Sequence, residues 1–210
     1  MNNKMRGIIA LLIVLGLAAG ITGCKLLHEK VVDIVLRNYA EMDFETREDS
    51  ADYVGTPQIV DVADGIDEAL AGFDPPLERS AITDARLLSA SYEVTWLEDP
   101  EHDWEISGGV WIQYGLAESV IIDYSEQSLY DALGAGEISA ELNQSGVNLF
   151  NAALDDFRSG LDPVLFFWVE GDSCAPLPTP ADSLKFDWTG RFYMYVVSPI
   201  TLEVPDLYGE

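Results

Sequence analysis

The sequence predicts a mainly β protein: an antiparallel β-sandwich of about seven or eight strands with two or three short helices inserted. Three observations carry that expectation. Ile82–Leu97, Trp104–Tyr114 and Leu184–Ser198 alternate apolar and polar residues with a period of two, as strands with one dry face do. Helical periodicity is confined to short stretches between such runs, so helices do not alternate with strands as a doubly wound parallel sheet requires. The apolar fraction of 48% against 23% charged residues is that of a folded domain and not of a disordered chain.

Taken in order, Val31–Leu36 is a β-rich run, and Ala40, Met42 and Phe44 alternate with charges beyond it, so this strand continues or bends before the polar segment Thr46–Asp52. Gln58–Val62 is a second short strand. Ile66, Ala69, Leu70 and Phe73 then recur on one helical face, with Asp64 as the expected cap and Asp74-Pro75-Pro76 as the stop. In the next strand Leu88, Ala90, Tyr92, Val94 and Trp96 are expected to face the core. Trp104, Ile106, Val110, Ile112 and Tyr114 repeat the pattern, and the charged turn Glu98–Asp103 is expected to join the two runs as an antiparallel hairpin. Gly108-Gly109 within the second run suggests a bulge or a close backbone approach.

Ser119–Tyr124 follows the turn at Gly115 as a further strand. Ser125 is expected to cap a short helix through Leu133, and Val147, Phe150, Leu154 and Phe157 form the stripe of a longer one closed by Gly160. Val164–Glu170 is continuously apolar up to its last residue, which predicts a strand buried on both faces. Gly171–Asp182, with three prolines and Cys174, reads as a surface loop. Leu184, Phe186, Trp188, Phe192, Met194 and Val196 mark the core face of the last long strand, and Thr201–Val204 a short edge strand between Pro199 and Pro205.

The N-terminus has a different character. Lys4 and Arg6 form a basic head, Gly7 to Ala19 an apolar run, and Ile21-Thr22-Gly23-Cys24 closes it. The run is short for a membrane-spanning helix, which needs about 20 apolar residues, and the layout is that of a secretory signal. The closing tetrapeptide resembles the lipobox of bacterial lipoproteins. That resemblance implies cleavage before Cys24 and a diacylglycerol thioether on its sulfur; no other cofactor is expected, Ca²⁺ being conceivable but not favoured. It divides the chain into residues 1–23 as signal peptide, 24–30 as lipidated tether and 31–210 as one β-rich domain. It also implies a cell-envelope location, and Lys25 after the cysteine favours the outer membrane by the enterobacterial sorting pattern.

Charge narrows the partners. Residues 1–23 hold two of the 11 basic residues and none of the 37 acidic ones, so the remainder carries 9 against 37, a formal −28. Such a surface repels phosphate backbones, which argues against nucleic acid and leaves the membrane, through the anchor, and a protein or glycan as partners. With Cys24 lipidated, Cys174 is a lone thiol without a disulfide partner.

Constellations for chemistry are sparse. Gly171-Asp172-Ser173 and Asp99-x-x-His102 resemble pieces of serine esterases, but they stand in the wrong order for the GDS type, and no G-x-S-x-G elbow occurs. Asp61, Asp64, Asp67 and Glu68, and Glu98, Asp99, Glu101, His102 and Asp103, are carboxylate-rich enough for Ca²⁺ yet lack EF-hand spacing, so no metal site is assigned. Trp111, Tyr193 and Tyr195 interrupt otherwise polar rows on outward faces and form a candidate binding face. The favoured expectation is that the helix Val147–Phe157, or a neighbouring loop, covers them as a second small core, so that truncating Trp111 would cost about 3–5 kcal/mol. The sequence thus favours a lipid-anchored, non-catalytic envelope lipoprotein whose acidic sandwich binds a protein or glycan or serves structurally. A membrane-tethered hydrolase of esterase or glycosidase type is the alternative.

Overall fold

A computed structural model describes residues 12–13, 28–48, 52–101, 103–179 and 182–204. It contains two antiparallel sheets packed as a sandwich. The first runs β1 (Leu12–Ile13), β2 (His28–Glu48), β10 (Leu184–Val204), β5 (Asp84–Leu97) and β8 (Ile138–Ala140). The second runs β3 (Tyr53–Val54), β9 (Val164–Ala175), β6 (Glu105–Tyr114) and β7 (Ala117–Ser128), with β4 (Gln58–Asp61) also pairing β9.

The backbone of the first sheet is the ribbon β2–β10, two 21-residue strands paired from His28↔Val204 to Glu48↔Leu184 without a register shift. On β2 the even positions from Val32 to Thr46 are buried, because the alternation is unbroken. Pro199 is tolerated inside β10. The carbonyl of Val197 points to the β5 side and accepts from the Thr83 N–H at 2.8 Å. Pro199, two residues on, faces the same side beyond the last β5 pair at Asp84, so its missing N–H removes no ladder bond. The run Thr201–Val204 is therefore the end of β10 and not a separate edge strand. At the other end, β2 begins at His28, so the last three residues assigned to the tether are already strand.

Strand β5 differs from its expected facing. Its register against β10 slips twice, skipping Leu88 and Thr95. Each extra residue inverts the parity of the strand beyond it. Leu87 and Leu97 are therefore buried while Leu88 and Trp96 are exposed. Nor do β5 and β6 form a hairpin. β5 belongs to the first sheet and β6 to the second, so residues 98–104 cross between sheets. Period-two alternation reports a half-dry strand but not its partner. The hairpin present is β6–β7, turning at Gly115 with φ 62°.

Helix α1 (Val62–Ala71) is capped by Asp61, whose carboxylate accepts from Ala63 N at 2.9 Å; Asp64 lies in the first turn instead. Ser128, not Ser125, caps α2 (Leu129–Ala135), because β7 runs on to that residue. Helix α3 (Gln144–Arg158) lies against β7 and β5 and fills the gap between the sheets along that edge. Its Phe150 meets Phe167 of one sheet at 6.3 Å and Phe192 of the other at 6.1 Å, and those two rings are 5.0 Å apart. Close approach at its first turn needs Gly146, where a Cβ would sit 2.5 Å from Ile121 Cα. Arg79 stacks 4.5 Å over Phe157 while pairing with Asp67 and Asp162, which ties α1 to α3.

The interior is filled. A cavity of about 30 Å³ beside Tyr92, Val94 and Trp188 holds no more than one water. Phe150→Ala should lower stability by about 3–5 kcal/mol, because the two sheets cannot collapse onto the vacated ring. Urea denaturation of wild type and variant measures that difference directly.

Candidate functional site

The three aromatics proposed from sequence lie on outward faces, but not on one face. Tyr193 and Tyr195 belong to β10 in the first sheet, Trp111 to β6 in the second. The two tyrosines are embedded in a polar lattice. Tyr193 donates to Glu137 Oε1 at 2.5 Å, as does Ser91 Oγ, and Tyr195 donates to Asp84 Oδ2 at 2.6 Å. Arg191 lies 2.9 Å from Glu41, 3.2 Å from Glu93 and 3.7 Å from Glu137. The bonds from Ser91 and Tyr193, with Arg191 nearby, hold the Glu137 carboxyl below its usual range. Arg47 pairs with Asp187 at 2.5 Å and stacks 4.7 Å over Trp96. This face is largely engaged with itself.

The outer face of the second sheet is organised otherwise. Trp111 is half-buried, and helix α3 does not cover it. The helix packs on the inward side, where Phe150 meets Phe167, so the expected second core does not form there. Trp111 instead stacks on Trp168, its partner across the β6–β9 ladder, with centroids 5.9 Å apart and planes at 11°. Beside them Phe166 is 38% exposed and Ile59 61% exposed. The run Val164–Glu170 is thus buried on one face only. Leu165, Phe167 and Val169 point inward, while Phe166, Trp168 and Glu170 point out. Sequence reasoning missed Trp168 because an unbroken apolar run conceals its own parity; the exposed Glu170 was the available clue.

The next row up the sheet is Glu170–Gly109–Asp123, paired across three strands. Glycine in the middle leaves a gap floored by backbone and flanked by two carboxylates, with Trp111 and Val120 as one wall. A bulge precedes it, where the register slips at Ser107/Gly108. A Cβ on Gly108 would lie 2.4 Å from Glu170 O, so the two strands meet there closer than any other residue allows. The result is an open groove of about 440 Å³. Below it, Tyr53 and Tyr124 join hydroxyls at 2.8 Å, and Tyr53 lies over Gly171, whose Cβ would fall 1.9 Å from the ring. Asp123 accepts from Asn143 Nδ2 at 3.1 Å.

The other candidates are dispersed. Ser173 stands in β9 opposite Ser107. The side chains of Asp172 and Ser173, and His102 altogether, lie outside the described residues, as do Lys25 and the lipobox Ile21-Thr22-Gly23-Cys24. Asp61 caps α1 and Asp67 pairs with Arg79, so that acidic cluster is used structurally. Among the described residues no three His, Cys, Asp or Glu side chains gather as a metal site would require. Cys174 is not in a loop. Strand β9 extends through Ala175 and buries the thiol, pushing its pKa up to about 11 by desolvation.

No family model matches this chain. No curated protein matches it either. Among solved structures, a chain from Desmodium yellow mottle tymovirus is similar over 92% of this chain and 99% of its own, at 14% identity and a TM-score of 0.26. Likeness at that score carries nothing about fold or function.

The aromatic stack and the buried thiol each have a measurable outcome. Because Trp111 and Trp168 share one half-buried stack, a double-mutant cycle with alanine should return a coupling of about 0.5–1.5 kcal/mol, and Trp111→Ala alone should cost less than a fully buried aromatic does. Chemical denaturation of the four proteins measures both. Cys174, buried and neutral at pH 8, should resist iodoacetamide in the folded protein and react promptly in urea; mass spectrometry of the adduct follows the difference.

Proposed function

We propose that this chain is a lipid-anchored, non-catalytic envelope lipoprotein whose acidic sandwich binds a macromolecular partner through the outer face of its second sheet. The carrying observation is the tetrapeptide Ile21-Thr22-Gly23-Cys24 behind a basic head and a short apolar run, only three residues before β2 begins at His28. Three residues span at most about 10 Å, so the domain stands directly on its anchor. Cleavage before Cys24 removes Leu12–Ile13 and leaves β2 as the edge of the first sheet.

Several features support binding over hydrolysis. The groove at Gly109 presents carboxylates and an aromatic wall, with no imidazole among the described residues that line it. The groove also lies far from the anchor along the ribbon. Tyr53 beneath it sits 6.2 Å from Phe186, which pairs with Thr46, 18 residues along β2 from His28. At about 3.3 Å per residue that separation is roughly 60 Å. Lys25 favours the outer membrane as the destination.

Growth with an alkyne-tagged palmitate tests the anchor. Wild type should carry the label and fractionate with the outer membrane, whereas Cys24→Ala should lose the label and no longer be cut before residue 24. Wild type that takes up no label, or a Cys24→Ala protein that keeps it, would overturn the lipoprotein assignment.

A further inference from the structure

Charge is divided unequally between the two sheets. The strands of the first sheet hold Lys30, Arg37, Arg47, Arg86, Lys185 and Arg191. Those of the second hold seven carboxylates, Asp123 and Glu170 among them, and no lysine, arginine or histidine. On the first sheet the carboxylates Glu41, Glu93 and Asp187 are matched by arginines of neighbouring strands. On the second, Asp123 and Glu170 form no ion pair among the described residues, and both are exposed.

We propose that the groove over Gly109 receives a lysine or arginine side chain from a basic segment of a partner protein, whose apolar neighbours lie along Trp168 and Phe166. The proposal rests on the binding reading above and names the partner's chemistry. Each part of the row has its role. Gly109 keeps the floor low enough for an inserted chain. Asp123 and Glu170 flank it on the two adjoining strands and neutralise the entering charge. Trp111 supplies a π-face at the wall, against which a cation is attracted, more so as it is desolvated. A long cationic side chain can lay its methylene stem on Val120 and Trp111 while its head meets the carboxylates.

Two observations select a polypeptide over a free amine or a neutral sugar. The aromatic strip continues past the groove through Trp168 and Phe166 to Ile59, more apolar surface than one amine covers. The unrelieved negative field of this sheet concentrates cations and gives a neutral sugar no advantage.

The test uses the full lipidated protein in non-ionic detergent at about 0.15 M salt, where the Debye length is near 8 Å. The probe is a fluorescein-labelled hexapeptide of alternating lysine and leucine, read by anisotropy. Its glutamate–leucine counterpart, spermidine and the neutral N-acetylated chitin hexamer serve as competing ligands. The lysine peptide should bind saturably at one per chain. Asp123→Asn with Glu170→Gln should weaken it by about tenfold or more, and Trp111→Ala severalfold. Glu105→Gln with Glu118→Gln removes the same charge from exposed positions on the same sheet outside the groove, and should change affinity less than about twofold. Matching circular dichroism and melting curves show that the variants are folded. Equal weakening by the two double variants would mean diffuse attraction and overturn the site. Absence of saturable peptide binding, or tighter binding of spermidine or the chitin hexamer, would overturn it as well. None of these outcomes touches palmitate labelling of Cys24, so failure of the groove and failure of the anchor are told apart.

Discussion

The constraint on which the structure depends is the shared register of β2 and β10. Their 21 paired residues carry the first sheet, and β5 adds to β10 along twelve of them. A strand has only two faces, so a single slip in this ribbon would send Met42, Phe44, Phe192 and Met194 to solvent together. The inner face is therefore set by one long, uninterrupted alternation on each side. Irregularity is displaced to the neighbours: β5 bulges twice, and beside the glycines of β6 the extra residues lie on its partners β7 and β9. The regular pair defines the core, and the irregular strands adapt to it and shape the surface.

The two outer faces show different ways of treating charge on a sheet. On the first, arginines reach across strands to carboxylates, and tyrosine hydroxyls complete the lattice, as at Glu137. Such exposed pairs contribute modestly each, but together they leave few charges seeking a partner. On the second face the strands supply no cation, and flat aromatic surface lies beside unneutralised carboxylates. A fold that keeps both features open retains surface of the kind interfaces are made from.

How legible this was from sequence depended on the range of the information required. Class, the positions of the long strands and the core residues of β10 and α3 were readable, because period and burial are local properties; the short strands Tyr53–Val54 and Ile138–Ala140 and the extension of β9 to Ala175 were not. The partner of each strand was not. Glu98–Asp103 looks like a hairpin turn, and nothing within those residues tells that the next strand joins the other sheet. Facing failed where parity was broken or hidden. The bulges at Leu88 and Thr95 invert β5 without any glycine to announce them, and the apolar run Val164–Val169 concealed that Trp168 points outward. Of the candidate aromatics, sequence found three outward-facing residues but could not divide them between two sheets, and it missed Trp168, Asp123 and Glu170, which the ladder brings to Trp111. The groove exists because residues from three strands share rows, and rows are a tertiary property.

The ribbon has one more consequence. Its first and last residues, His28 and Val204, are paired neighbours at the same end of the fold. The domain is thereby topologically close to a ring. A short loop from Val204 to His28 would turn the ribbon into an ordinary hairpin, and new ends could open at the β6–β7 turn, where Gly115 meets the fully exposed Leu116. Such a circular permutant would retain every ladder except the two-residue pairing of β1. On the proposed lipid anchor, such a permutant would also uncouple the fold from the position of Cys24, so that a lipid could be attached elsewhere and the groove carried at a chosen height and tilt above a bilayer.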